Sequence, residues 1–436
     1  MRPSARLLWL ALGGLLFAIV CVAVPALPVE AATLPLAGLV LAVLIDLAVS
    51  LRGGAVQLEA IQPNDVFTGE AAKFHLRLSS RSPLLLSLFV EGRVQTQDGL
   101  QAPEVFSFVA QDDALVCDLP LKGVKRGTWM IERLWLKWSS RLGLIEFVPS
   151  HRIDHAVAVV PNIRPITSGE IDLKLRSALF GMKETVWRGE GSEFHQMTEY
   201  VAGMDPRSID WKHSARHQKM LAKEMRAERN HQVVMAVDNG QLMRQEIDGL
   251  AMIDHMINSA LALTWACLQS GDLVGLLGFD ARPRHYAPPA PGQKTFALMR
   301  RQMADLEYSS VATNHTLALS HLQQKLQKRS LIVVLSDFAD PLSAELLLDH
   351  MTILNRHHVV IFVSLRDPVL EEVAMGKTSS MDGVAKAVSA AEMLKERRSV
   401  LDQMSAMGVY VIETYPGQMT PRLLSTYLDI KAREVI

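Results

Sequence analysis

The sequence contains little cysteine and almost no net charge. Its three cysteines, Cys21, Cys117 and Cys267, lie far apart and lack the spacing of metal ligands or redox pairs, so a disulfide framework is not expected. Lys and Arg (45 residues) nearly balance Asp and Glu (46), and the net charge of -1 lacks the basic footprint of a nucleic-acid-binding protein. The sequence also has no Gly-x-x-x-x-Gly-Lys loop and no nucleophile elbow, which argues against P-loop nucleotide binding and α/β-hydrolase chemistry.

Charge is also scarce in two apolar runs near the N-terminus. Residues 7–24 contain no charged side chain, and residues 34–51 contain one, Asp46. Each run is close to the shortest length that crosses a hydrocarbon core of ~30 Å, so we predict that residues 1–52 form a transmembrane helical hairpin. A cleaved signal peptide is the alternative for the first run, but the second run follows too closely to favour it.

The arginines beside these runs predict the orientation of the hairpin. Arg2, Arg6 and Arg52 flank it on one side, and the turn between the two runs carries no Lys or Arg. The positive-inside rule then predicts a multi-pass protein of the cell inner membrane, with both termini in the cytoplasm. We predict that Asp46 forms an ion pair at the membrane interface, with Arg6 or Arg52 within reach, and that it has no further function.

Short alternating strands are expected in residues 53–165. Residues 72–79 and 129–138 alternate between apolar and polar side chains, and turn-forming residues separate such segments at regular intervals. A period of two residues with this spacing predicts a small antiparallel, sandwich-like β domain. It contains no metal or nucleophile motif, so we expect a structural role, with partner binding as an alternative.

The C-terminal region, residues 231–436, alternates apolar strands with helical segments. Nearly continuous apolar runs are typical of parallel strands covered on both faces, so we predict a doubly wound α/β domain. The predicted strands are 232–237, 273–279, 331–335, 359–365 and 409–413. A loop or partly ordered insertion is predicted at 375–386, before a helix at 392–407.

Residues 166–230 join the two predicted domains and contain the densest motif of the chain. It reads Gly189-x-Gly-x-Glu193-Phe194, then Tyr200-x-x-Gly-x-Asp205-x-Arg207-x-Ile-Asp210-Trp211, and ends with Ala-Arg216. We refer to residues 189–216 as the signature segment. Its order and spacing resemble the bacterial family known as domain of unknown function 58. That family pairs the motif with a von Willebrand factor A-like domain, which the resemblance implies for residues 231–436.

The charges of the signature segment can be buried only if they pair with one another. One hypothesis is a structural clamp in which Asp210, Arg207 and Arg216 form ion pairs around Trp211. Asp205, which precedes a proline, is predicted to cap a helix.

The alternative hypothesis for the signature segment is a recognition surface, or a catalytic pair of carboxylates that joins Asp210 to Glu190 or Glu193. No base or nucleophile accompanies these carboxylates in the sequence, so catalysis is the weaker of the two. The candidate interaction residues are Glu190, Glu193, Phe194, Tyr200, Asp205, Arg207, Asp210, Trp211 and Arg216.

Three residues of the α/β region match the positions of a von Willebrand A metal site. Asp238 follows the first predicted strand, Thr313 lies in a loop before a helix, and Asp337 follows the third strand. The resemblance implies an Asp-x-Ser-x-Ser loop, but this chain has glycine and leucine in place of the two serines. Because Mg²⁺ requires about six oxygen ligands, we expect no cofactor. The alternative is a weak Mg²⁺ site completed by Asn239, Gln241 and water.

The resemblance also implies a function. Members of the family commonly occur beside MoxR-type AAA+ ATPases and are thought to act as their adaptors. We therefore predict a membrane-anchored, non-enzymatic interaction protein whose partner is a MoxR-type AAA+ ATPase and which binds no nucleic acid. The alternatives are a metal-dependent ligand binder of the von Willebrand A type and, with less support, a hydrolase that uses the carboxylates of the signature segment.

Overall fold

A computed structural model describes residues 1–23, 33–51, 56–61, 65–80, 89–111, 114–169, 171, 188–201, 204–226, 230–376, 380–433 and 435 of the chain. These residues divide into two units, 1–162 and 163–436. Helices and strands occur in both, so the structure belongs to the mixed α/β class.

The first unit begins with two helices, α1 (Ala5–Ala23) and α2 (Leu34–Leu51). At a rise of ~1.5 Å per residue they are about 28 and 27 Å long, slightly shorter than a hydrocarbon core of ~30 Å. Among the residues that the structure describes, no helix is both long and apolar enough to cross a membrane. The prediction of a transmembrane hairpin at 7–24 and 34–51 is therefore wrong. So is the multi-pass inner-membrane location inferred from it.

Asp46 of α2 is buried against the β-rich part of the same unit. Its Oδ2 accepts a hydrogen bond from Ser140 Oγ at 2.5 Å, and its Oδ1 accepts one from the backbone N–H of Leu142 at 3.0 Å. These two donors replace the predicted ion pair with Arg6, because they satisfy both carboxylate oxygens. The other predicted partner, Arg52, lies outside the described residues.

Strands make up most of the first unit. They are β1 (Arg2–Pro3), β2 (Val56–Ile61), β3 (Asp65–Phe67), β4 (Ala71–Ser80), β5 (Val90–Thr96), β6 (Leu100–Gln101), β7 (Phe106–Ser107), β8 (Val109–Gln111), β9 (Ala114–Gly123), β10 (Gly127–Ser139), β11 (Ile145–Phe147) and β12 (Ser150–Val160). One sheet has the order β1-β11-β10-β12-β3, with β5 and β7 attached to it, and the other has the order β2-β4-β9-β6, with β8 beside β9. Side chains of both sheets form one hydrophobic core.

The alternation predicted for this unit holds in β4 but breaks in β10. Every second side chain of β4 is buried, as a period of two residues requires. In β10 the buried side chains are Ile131, Leu134 and Leu136, so the period slips by one residue. The register shifts between Ile131 and Arg133 towards both neighbouring strands, and against β5 the shift is a β-bulge that gives β10 one extra residue.

The second unit contains nine helices and ten strands among its described residues. The helices are α3 (Arg164–Thr167), α4 (Trp211–His217), α5 (Met252–Gln269), α6 (Gln293–Ala304), α7 (His315–Lys325), α8 (Pro341–Asn355), α9 (Pro368–Met375), α10 (Met381–Ala406) and α11 (Pro416–Ala432). The strands are β13 (Arg188–Glu199), β14 (Leu221–Arg226), β15 (Gln232–Asp238), β16 (Glu246–Ile247), β17 (Leu250–Ala251), β18 (Leu273–Phe279), β19 (Pro283–Ala290), β20 (Ser330–Leu335), β21 (Val359–Leu365) and β22 (Tyr410–Thr414).

Six of these strands form the central sheet, in the order β19-β18-β15-β20-β21-β22. All neighbours are parallel except the edge pair β18–β19. Numbered within the sheet, the order is 3-2-1-4-5-6, which is that of doubly wound folds. The order reverses between β15 and β20, and ligands of such sheets bind outside the carboxyl ends of the strands at this switch point.

Helices cover both faces of the central sheet. Alternate residues of β15 point to opposite faces, so Met235 packs with α5 and α11, whereas Val234 packs with α7, α8 and α10. Both layers are fully buried, which explains why the strands carry continuous apolar runs rather than alternating ones. This packing holds the carboxyl ends of β15 and β20 side by side.

Candidate functional site

Asp238, the last residue of β15, lies at the switch point and is fully buried. Its Oδ1 accepts hydrogen bonds from the backbone N–H of Gly240 and from Thr313 Oγ1, both at 2.8 Å. Its Oδ2 accepts a hydrogen bond from Ser336 Oγ at 2.6 Å. Groups of the protein itself therefore satisfy both carboxylate oxygens.

His315 extends this network through Ser336. Its Nε2 lies 2.7 Å from Ser336 Oγ, and both side chains are buried. A hydroxyl donates one hydrogen and an ionised carboxylate only accepts, so Ser336 donates to Asp238 and His315 Nε2–H donates to Ser336. The imidazole therefore acts as a donor towards this serine and does not take its proton, unlike the base of a hydrolytic triad.

Gly240 is required for the contact between Asp238 and Thr313. A Cβ atom at position 240 would lie 1.9 Å from Thr313 Oγ1 and 3.1 Å from Asp238 Oδ1. The backbone at position 240 is extended (φ -72°, ψ -176°), so the restriction comes from the neighbouring hydroxyl and not from the backbone. The glycine that replaces the first serine of the metal-binding pattern thus makes room for a direct hydrogen bond.

Asp337 points towards a different group, the guanidinium of Arg397 from α10. Arg397 Nη1 donates to Asp337 Oδ1 at 2.6 Å, and Nε donates to Glu413 Oε1 at 3.1 Å. The guanidinium also donates to Ser364 Oγ and to the carbonyl oxygen of Leu365. Arg397 thereby joins the carboxyl ends of β20, β21 and β22.

Burial and charge act in opposite directions on this pair. Burial raises the pKa of the Asp337 carboxyl, and the adjacent Arg397 opposes that rise. Burial also disfavours the charged form of Arg397, but Asp337 and Glu413 outweigh it and raise the pKa of the guanidinium. The arginine therefore stays charged and compensates the two acids.

These contacts do not favour the alternative of a weak Mg²⁺ site at Asp238, Thr313 and Asp337. Asp238 and Thr313 come together as predicted, but they bond to each other, and Asp337 is held by Arg397. Asn239 has one buried oxygen, Oδ1, without a hydrogen-bond partner, yet it is a single neutral ligand. Among the described residues, no group of three His, Cys, Asp or Glu side chains could hold a metal ion.

The signature segment begins in β13, which pairs antiparallel with β14, a strand that follows the segment in the chain. Glu190, Glu193 and Phe194 belong to β13, and their side chains lie outside the described residues. Tyr200 follows the strand, and its hydroxyl donates to the carbonyl oxygen of Met204 at 3.1 Å.

Asp205 caps a short helical turn, as the sequence predicts. Its side chain accepts from the backbone N–H of Arg207 at 2.9 Å, with a proline at the first helical position. The turn is a 3₁₀ helix of three residues rather than a longer α-helix.

Asp210 is the centre of the described contacts in this segment. It caps α4 by accepting from the N–H groups of Lys212 and His213, both at 3.0 Å. Lys223 Nζ forms an ion pair with it at 2.9 Å, and His213 Nδ1 lies 3.1 Å from the carboxylate. The hydrogen bond from Lys223 and those from His213 lower the pKa of Asp210 well below its ordinary value.

The ion-pair cluster predicted between Asp210, Arg207 and Arg216 is therefore wrong. Lys223, on the facing strand β14, takes the position that the prediction gave to the arginines. Arg207 and Arg216 are exposed, and Trp211 is 69% exposed. The described half of the signature segment presents these three side chains to solvent.

A cleft of about 540 Å³ opens beside Asp337 and Arg397. It lies between α8, α9 and α10, and the loop after β15 closes one end. Apolar side chains line the base of the cleft, and acidic side chains line its rim. The residues that line it include Ile247, Met252, Phe338, Glu345, Leu348, Met393, Glu396 and Val400.

Sequence reasoning missed Arg397, His315 and this cleft. Arg397 belongs to a run of charged residues that is typical of a solvated helix face, so no local signal distinguishes it. His315 follows Asn314, which caps α7, and only the fold places its ring beside Ser336.

Comparison with known proteins finds the same family that the signature segment resembles. The family model described as "Protein of unknown function DUF58" matches residues 196–398, from β13 to α10. Residues 196–398 of the chain belong to this family. The match joins part of the signature segment to most of the central sheet of the second unit.

Curated relatives of this DUF58 protein are themselves uncharacterised. Proteins of Mycobacterium bovis and Mycobacterium tuberculosis are each 23% identical to it over 197 residues. The matched region is 45% of this chain and 61% of the relatives, so the chain spans less than two thirds of their length.

Solved structures give only distant similarity. Proximal thread matrix protein 1 from the mussel byssus covers 47% of this chain and 47% of its own, with 12% identity and a TM-score of 0.30. The conserved hypothetical protein BatB from Bacteroides thetaiotaomicron covers 47% of this chain and 100% of its own, with 10% identity and a TM-score of 0.29.

Proposed function

We propose that this chain is a non-enzymatic interaction protein that binds a protein partner at the carboxyl-end face of its central sheet. The observation that carries the proposal is the closed network around Asp238. In doubly wound folds this position normally serves a ligand. Here Gly240, Thr313 and Ser336 use both carboxylate oxygens, which leaves the adjacent cleft as the candidate binding surface.

The same contacts argue against the hydrolase alternative. Ser336 and Asp238 are fully buried, so a substrate carbonyl has no access to the hydroxyl. His315 donates to that hydroxyl instead of accepting its proton. In the signature segment, Asp210 is held by Lys223 and by two backbone N–H groups, and its lowered pKa does not suit a general acid at neutral pH.

The cleft has the properties of a binding surface. Its volume of about 540 Å³ lies within the ~300–1,000 Å³ typical of ligand pockets. Apolar side chains at its base provide the buried contacts from which interfaces gain most of their free energy, and charged side chains surround them, as at protein–protein interfaces.

We propose a MoxR-type AAA+ ATPase as the partner. This part of the proposal rests on the family resemblance of the signature segment alone. A direct test is the dissociation constant between the purified chain and a purified MoxR-type ATPase of the same organism, measured by titration calorimetry.

Two matched methionines of α10 serve as probe and control. Met393 lines the cleft and is 51% exposed, whereas Met381 is 89% exposed and lies outside the cleft. Met393→Asn should weaken binding about tenfold, because it removes an apolar contact from the interface, and Met381→Asn should leave it unchanged. Failure of the parent protein to bind, or equal weakening by both changes, would reject the proposal.

A further inference from the structure

Two helices form the long walls of the cleft. On α10, Met393, Arg397 and Val400 follow one another at spacings of four and three residues and therefore lie on one helical face. On α8, Glu345 and Leu348 are three residues apart and line the opposite wall. The part of α10 that lines the cleft spans about ten residues, or roughly 15 Å at the helical rise. The cleft is therefore a groove rather than a rounded pocket.

The base of the groove is apolar. Phe338, Ile247 and Met252 are each less than a tenth exposed, and they face the cleft from three different elements. An occupant therefore needs an apolar strip about three helical turns long. A helix provides such a strip with residues at i, i+3 or i+4, and i+7.

The rim of the groove is acidic. Seven acidic side chains and two arginines line the cleft, a net charge of -5 for this set. Both arginines already have acidic partners within the lining, because Arg366 pairs with Glu371 and Arg397 pairs with Asp337. Glu413 also pairs with Arg397, and Asp340 and Asp367 cap α8 and α9. Glu345 and Glu396 remain for a ligand that carries positive charge.

Glu345 and Glu396 are the clearest of these acids. They lie on opposite walls, and both are exposed. Neither forms an ion pair with any residue that the structure describes. A cationic occupant would therefore meet a carboxylate on each side without having to break an existing bond.

We infer that the groove binds a basic amphipathic helix of the partner protein, with leucine-like side chains on the apolar base and lysine or arginine against the two walls. This inference rests on the proposed function and adds the chemistry of the recognised segment. A compact cationic molecule would fill only part of a groove of this length.

Synthetic peptides test this inference without the ATPase. One fluorescein-labelled peptide of about 14 residues carries Leu at i, i+3, i+4 and i+7 and Lys elsewhere, and a matched peptide carries Glu in place of Lys. Fluorescence anisotropy with the full chain should show binding of the Lys peptide only. Raising the ionic strength should weaken it, because the contacts at the rim are exposed to solvent.

Variants of the rim locate the binding site. The double change Glu345→Gln and Glu396→Gln should weaken the Lys peptide about threefold to tenfold, as expected for two exposed ion pairs, and should reduce its salt dependence. Glu392→Gln is the matched control, because Glu392 is exposed on the same helix but does not line the groove, and it should have no effect.

The outcomes separate the inference from the function on which it rests. If neither peptide binds, if both bind equally, or if Glu392→Gln weakens binding as much as the double change, the inference is wrong. If the Lys peptide binds as described but the ATPase does not, the inference holds and the choice of partner is wrong. If the ATPase binds but is insensitive to the rim variants, the partner holds and the inference is wrong.

Discussion

The closed network around Asp238 predicts a specific coupling between Gly240 and Thr313. Gly240→Ala places a methyl group 1.9 Å from Thr313 Oγ1, which forces the hydroxyl away from Asp238. Overpacking of this kind costs about 1–3 kcal/mol. Loss of a hydrogen bond to a charged group costs about 1.5–3 kcal/mol more. We therefore expect Gly240→Ala to destabilise the central sheet by about 3–5 kcal/mol.

Thr313→Ala should cost less, about 1.5–3 kcal/mol, because it removes the hydrogen bond without adding a clash. In the double variant the new methyl group no longer meets a hydroxyl, so its total cost should be close to that of Thr313→Ala alone. The double variant should then be about 3–5 kcal/mol more stable than the sum of the two single changes implies.

Amide hydrogen exchange of the full chain, followed by mass spectrometry, measures this coupling where it occurs. The free energy of opening is read from peptides that contain β15 and β20, so unfolding of the other unit does not interfere. The predicted coupling is wrong if Gly240→Ala exchanges like the parent protein, or if the effects of the two changes are simply additive.

Three further predictions concern the charged side chains. Arg397→Met should destabilise β20 by about 3 kcal/mol in the same exchange experiment, because it leaves Asp337 without its cation, whereas Arg398→Met on the exposed side of α10 should have little effect. Lys431→Met should cost a similar amount, because it leaves the fully buried Asp272 without its cation. Asp210→Asn should lower the melting temperature at pH 7 and should do so much less at pH 2. The folded pKa of Asp210 is lowered, so its stabilisation is complete above the unfolded pKa of ~3.9 and shrinks as the pH falls from there towards the folded pKa.

Each of these predictions has a contradicting result. Equal effects of Arg397→Met and Arg398→Met would mean that the arginine does not hold the strand ends together. An unchanged exchange rate in Lys431→Met would show that Lys431 does not stabilise the buried carboxylate of Asp272. A difference for Asp210→Asn that is as large at pH 2 as at pH 7 would show that its role is not electrostatic.

Most strands of the central sheet could be predicted from the sequence, but the edge strand β19 could not. The predicted strands at 232–237, 273–279 and 331–335 lie within one or two residues of those observed, because strands buried on both faces carry continuous apolar runs. The edge strand β19 was missed because it contains three prolines, which are tolerated only where one side of a strand is unpaired.

The start of α10 was also predicted wrongly. The helix begins at Met381, within the segment predicted as a loop and eleven residues before the expected start. Gly383 and the serines before it favour a loop locally, but Ser380 accepts a hydrogen bond from the backbone N–H of Gly383 and caps the helix. The two hydrophobic runs at the N-terminus were also interpreted wrongly. Their apolar composition predicted membrane spans, but neither of the helices that they form is long and apolar enough to cross a membrane.

The candidate site was only partly predictable. Asp238 and Thr313 were identified from their positions after a strand and before a helix, and the fold brings them together. The pairing of Asp210 with Lys223, and of Asp337 with Arg397, joins residues that are 13 and 60 positions apart in the sequence. No local pattern contains such pairs, because they depend on the hairpin register and on the packing of α10.

Site-specific photo-cross-linking shows whether the partner binds in the cleft, because it reports which residues of this chain the partner contacts. A photoreactive amino acid is placed at position 393 in the cleft or at the exposed Trp211 of the signature segment, and each protein is irradiated with the purified MoxR-type ATPase. The account predicts a cross-link from position 393 and none from position 211. A cross-link from position 211 alone would show that the signature segment is the binding surface and would contradict the account.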